Sequence, residues 1–133
     1  MGIYKLFDIF AFSSINFNAI RNMAGEKFDM SLDGNILTLN SPRKSVGGPY
    51  KVVYKNEQER WAIVAMDWEG KPCLGMRWFW GGGGNPFSNA KPIWLVIPDS
   101  LSNSVLNGLP LNFKFYSSIL DFLAGKIAGN QIL

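Results

Sequence analysis

Asp67 and Glu69 stand two residues apart, so on a regular strand both carboxylates leave the same face. That spacing would suit general acid–base chemistry. Glu69, however, falls in the polar segment Glu69–Pro72, a turn by composition, which takes the second carboxylate away. The chain contains no histidine, so His bases, Ser-His-Asp triads and His-ligated metals are excluded. Its single cysteine, Cys73, excludes disulfide frameworks and zinc–thiolate sites as well. Cys73 opens a strand-like run beside apolar neighbours, the setting of an inert small hydrophobe rather than of a nucleophile. Carboxylate, Tyr, Lys or Cys chemistry is what remains for an enzyme. No constellation for it is visible, and no catalytic residue, metal or cofactor is assigned.

Residues suited to binding are more evident. Arg77-Trp78-Phe79-Trp80 precedes four glycines. On a strand, Trp78 and Trp80 project one way and Arg77 and Phe79 the other. Two tryptophans on one face usually mean core. Next to a flexible loop they also suit an aromatic-lined pocket for a small organic ligand, with Asp67 at its rim and Asn85 in the loop as polar contacts. The glycines do not make a phosphate loop, because no Gly-Lys-Ser/Thr follows and the spacing is not that of a dinucleotide fingerprint. They read as a mobile connection, and such a loop could close over a ligand.

A second candidate surface joins Lys51, Lys55 and Arg77 with Trp68 and Phe79. Basic groups interleaved with aromatics suit single-stranded nucleic acid or an anionic metabolite. A solvated sheet face would use the lysines for solubility, and a subunit interface would use the two aromatics. Thirteen Lys+Arg against ten Asp+Glu give a formal charge of +3, too mild for a dedicated nucleic-acid binder.

These residues are positioned by a readable succession of elements. The 133 residues suit one domain, with residues 1–26 left open, because the apolar positions of Tyr4–Ile20 fit helical and alternating templates about equally. Phe28–Leu39 alternates about Asp33-Gly34, a type I′ turn pair, and predicts a hairpin. Three β-like runs follow, Tyr50–Lys55, Arg60–Trp68 and Cys73–Trp80, joined by short polar connections, so an antiparallel meander is expected. Its parity places Tyr50, Val52, Tyr54, Trp61, Ile63, Ala65, Leu74, Met76, Trp78 and Trp80 on one apolar face. Lys51, Val53, Lys55, Ala62, Val64, Met66, Trp68, Cys73, Gly75, Arg77 and Phe79 fall on a mixed one. An odd loop or a bulge would reverse that parity. Beyond the long connection Gly81–Pro92, Ile93–Ile97 reads as a strand buried on both sides. Asp99 or Ser100 can cap a short helix that Gly108 and Pro110 stop. Leu111–Phe115 alternates like a strand, and Ser118 with Asp121 resembles a capping box opening a last helix. The fold class is α+β: an antiparallel β-meander sheet with two or three helices packed on one face.

The apolar N-terminus is interrupted by Asp8 and lacks a small-residue cleavage pattern, which argues against an export signal. No run reaches the roughly 20 apolar residues that span a bilayer, and an unpaired cysteine fits a reducing compartment. A cytoplasmic protein with no membrane partner is expected.

Leu74–Pro86 (LGMRWFWGGGGNP) followed by Ile93–Pro98 (IWLVIP) resembles small hypothetical proteins encoded by integron gene cassettes. The similarity covers roughly Trp61 to Leu109 and carries no catalytic motif. It implies a mobile bacterial gene and a compact protein able to self-associate, and it transfers no functional residues.

The expectation is a small binding protein with an aromatic-lined pocket for an unidentified small molecule. Ten Phe, five Trp and four Tyr are many for so short a chain to bury alone, which favours a homo-oligomer. A protein-interaction module is the alternative, ahead of a single-stranded nucleic-acid binder or a histidine-independent enzyme.

Overall fold

The computed structural model describes residues 36–79 and 84–133. All of them lie in one compact unit of the chain, Ser31–Leu133. The segment 1–26, the first arm and turn of the expected hairpin, and Trp80 lie outside the described residues.

The meander forms. Strands β1 (Val46–Asn56), β2 (Trp61–Trp68) and β3 (Lys71–Trp78) are antiparallel neighbours in chain order. Trp68 pairs with Lys71 across Glu69-Gly70, both at positive φ, which is the two-residue turn that matches strand twist. Two minimal strands, β4 (Phe87–Ser88) and β5 (Lys91–Pro92), form a hairpin, and β6 (Leu95–Ile97) pairs antiparallel with β3 to give the order β1-β2-β3-β6. Helices α1 (Asp99–Asn107) and α2 (Phe113–Leu123) and a 3₁₀ turn (Gly129–Gln131) complete the described chain.

One sheet face carries the core expected from parity. Ile63, Ala65 and Leu74 pack with Leu106 of α1, Ile119 and Phe122 of α2 and Ile132, while Trp61 and Met76 lie against them. Strand β1 departs from this pattern. A register shift between Val52 and Tyr54 sets Tyr54 opposite Ile63 but Val52 opposite Val64. The extra residue, Val53, joins the core cluster, so the bulge exchanges the predicted faces of Val52 and Val53.

The expected mixed face is covered. Ala62, Val64 and Met66 are fully buried, with Trp94, Phe79 and Ile36 among the buried residues outside the sheet. Gly75 faces Met66 and Trp94 so closely that a Cβ there would stand 2.6 Å from the Met66 sulfur. Alternation thus sorts the side chains of β2 and β3, but burial extends to both sets.

Four local expectations are corrected. Residues 36–38 are helical where the second arm of the hairpin is expected; five residues of alternation fit a helical turn as well as a strand. Strand β6 spans only Leu95–Ile97, and Leu95 is exposed at the sheet edge rather than buried. Helix α1 is preceded by Pro98 at the N-cap, so Asp99 is its first residue, where a carboxylate favours the helix dipole. Finally, Leu111–Phe115 is not a strand. Asn112 caps α2, its Oδ1 accepting the Phe115 amide at 2.9 Å, and Ser118 sits inside the helix with its Oγ accepting the Leu133 amide at 3.0 Å.

Candidate functional site

The strand register decides which predicted residues can act together. Trp78 pairs with Trp61 at one end of β2, and Asp67 lies six positions along at the other. At about 3.3 Å per residue the two are about 20 Å apart. A pocket shared by Asp67 and Trp78 is therefore not formed, and Trp80 is not among the described residues. Trp78 and Asn85 do meet, but through their backbones: each amide donates to the other's carbonyl, at 2.8 and 2.9 Å. Gly84 permits this closure at φ +80, where a Cβ would collide with the Trp78 carbonyl oxygen.

Asp67 is committed to the fold. Its Oδ2 accepts a 2.5 Å hydrogen bond from the Tyr50 hydroxyl. That bond, with burial and the carboxylate charge, pushes the Tyr50 pKa up to about 12. Burial, reinforced by the same charge, pushes the Cys73 thiol up to about 11, which keeps it protonated and unreactive at neutral pH. Tyr50 also meets Phe122 edge-on at 5.8 Å between ring centroids. Gly129 lies against the same ring, leaving no room there for a Cβ.

The basic and aromatic surface is divided in the same way. Lys51, Lys55 and Trp68 are half-buried, and Lys55 pairs with Glu57 at 3.4 Å. Arg77 is 0% exposed and Phe79 is buried, so neither can stack on or neutralise an external strand of nucleic acid. Arg77 Nη1 donates to the carbonyls of Ile93 at 2.8 Å and Pro86 at 3.3 Å. Its guanidinium carbon lies 5.2 Å from the Phe79 ring centroid and 5.8 Å from that of Phe87. Burial pulls its pKa down to about 10, which leaves it charged at neutral pH. A strand residue is thus tied to the segment that connects β3 to β6. This is an architectural use of a cation.

A cleft lies elsewhere, on the outer side of α2. It has a volume of about 330 Å³, near the lower limit of ligand sites, and is open to solvent. Phe113, Lys114, Ser117 and Asp121 line it from the helix, and Ile127 and Leu133 from the following segment. Asn112 fixes the first turn of α2, and Ile119 and Phe122 anchor its inner face in the core. The outer face is what remains. On it, Phe113 is 81% exposed and Leu133 beside it 64%. Reading Leu111–Phe115 as a strand conceals this face. The signal that locates it is Asn112 as N-cap, which makes positions 113, 117 and 121 helical neighbours.

Among the described residues no group of three His, Cys, Asp or Glu side chains could hold a metal ion. No helix among them is long and apolar enough to cross a membrane. No family model, curated protein or solved structure matches the chain. The resemblance of Leu74–Pro86 to cassette-encoded proteins therefore remains an expectation and contributes nothing to the site.

Proposed function

We propose that the protein works by associating with another polypeptide through the outer face of α2, rather than by catalysis or by enclosing a small molecule. The observation that carries this reading is Phe113, 81% exposed at the mouth of an open cleft with Leu133 opposite and Lys114, Ser117 and Asp121 around it. A large aromatic surrounded by polar groups is the composition of an interface anchor and its rim. Burying a Phe side chain stabilises a complex by roughly 1.5–3 kcal/mol, a gain the isolated chain does not realise there. A cleft this open leaves much of an organic ligand in water, whereas a protruding side chain of a partner would fill it.

Replacing Phe113 with photoreactive benzoylphenylalanine tests this reading. Irradiation should give a covalent adduct with a second polypeptide. The same replacement at exposed Glu57, in the turn between β1 and β2, should give none. No adduct from position 113, or equal adducts from both positions, counts against association through α2.

A further inference from the structure

We infer that the outer face of α2 pairs with the same face of a second copy of this chain, antiparallel, about a two-fold axis passing between Ser117 and Ser118. Such pairing rests on the association reading above and gives it a partner.

Lys114 and Asp121 are the charged residues of this face, seven positions apart and so on one side of the helix. At 1.5 Å per residue they are separated by about 10.5 Å along the axis. That is too far for them to form an ion pair with each other, and neither has another ion-pair partner among the described residues. Two opposite charges at this spacing make the face complementary to itself. An antiparallel copy sets Lys114 against Asp121 of the partner subunit and Asp121 against Lys114 of the partner subunit, forming two bridges with one contact geometry. A foreign partner would need a matching charge pattern of its own; a second copy has it by symmetry.

The uncharged positions agree. Ser117 lies at the midpoint, where a small side chain lets two helices approach within about 8–10 Å. Phe113 lies at the N-terminal end of the face. In the antiparallel pair it reaches toward the far end of the partner's helix, on the side of the cleft that Ile127 lines. A volume of about 330 Å³ has room for one phenyl ring, so each copy can seat its Phe113 in the cleft of the other. The contact is small, and its dissociation constant should be on the order of 10 µM.

Sedimentation equilibrium of the full chain at low salt tests the pairing. The unmodified chain should show a monomer–dimer equilibrium that weakens as salt is added. Lys114→Glu and Asp121→Lys should each weaken the dimer about tenfold or more, because like charges then meet at both bridges. Mixing the two variants should restore dimers. In the mixed pair the introduced glutamate meets the introduced lysine, and the retained Asp121 meets the retained Lys114. Restoration by mixing is a readout that a folding defect could not produce. A monomer throughout the micromolar range, or a dimer that neither variant weakens, overturns the inference. If either result accompanies a position-113 adduct to a different polypeptide, the association reading survives and only the identity of the partner is lost. No adduct at all removes both.

Discussion

The two cationic positions of greatest interest, Arg77 on β3 and Lys114 on α2, are used in opposite ways. Arg77 has no exposure and directs its donors to backbone carbonyls of its own chain. Lys114 lies in water beside an exposed phenylalanine. In the sequence Arg77 attracts attention first, surrounded by tryptophans and glycines, while Lys114 sits in an ordinary alternating stretch. The contrast shows that a charge near aromatics belongs to a binding surface only if the layer above it is absent. On the sheet that layer is present; over the outer face of α2, among the described residues, it is not.

The contrast is broken most forcefully by Arg77→Ala. It empties a fully buried site, takes the guanidinium donor from the Ile93 carbonyl and leaves the Pro86 carbonyl with the Ile93 amide alone. The expected loss is about 3 kcal/mol of unfolding free energy by urea titration. A loss below about 0.5 kcal/mol would place Arg77 outside the architecture. Next in size is Gly129→Ala, whose added methyl collides with the Tyr50 ring. Overpacking of this kind should cost about 2 kcal/mol and lower the melting temperature, and an unchanged melting temperature would show that the turn moves freely from β1.

A smaller effect belongs to pH. The folded Tyr50 pKa of about 12 lies above the ordinary tyrosine value of 10.0. The stabilisation is therefore complete below pH 10. It falls between about 10 and 12, where the unfolded chain has released a proton that the folded chain retains. Tyr50→Phe should remove this alkaline component from the stability profile, and a profile of unchanged shape would mean the Asp67 bond is not formed. Smallest of all is Phe113→Ser. At 81% exposure its effect on monomer stability should stay within about 0.5 kcal/mol, although association through α2 is lost. A large stability effect would turn Phe113 into a core residue and dissolve the comparison.

What could be read without the structure follows the range of each physical signal. The meander was legible because side-chain alternation and the short polar connections between the runs are local, and the core positions Ile63, Ala65, Leu74 and Met76 follow from the pleat alone. The cover over Ala62, Val64 and Met66 was not, since Trp94 comes from a distant segment, and parity sorts side chains without saying whether a face is covered. The bulge at Val52–Tyr54 has no residue signature of its own and reversed the faces it touched. At the candidate site, Phe113 and Lys114 were hidden by the alternation of Leu111, Phe113 and Phe115. Only the Asn112 cap, with its bond to the Phe115 amide, distinguishes helix from strand there.

Amide hydrogen exchange at low and high protein concentration compares both regions in one experiment. If copies of the chain pair through the outer face of α2, exchange in peptides covering 112–121 slows as concentration rises from well below to well above about 10 µM, a range set by the expected dissociation constant. Exchange in peptides covering 61–79, where both sets of side chains are already buried, stays the same. Slowing confined to the sheet, or none in α2 over that range, contradicts the pairing of copies through α2.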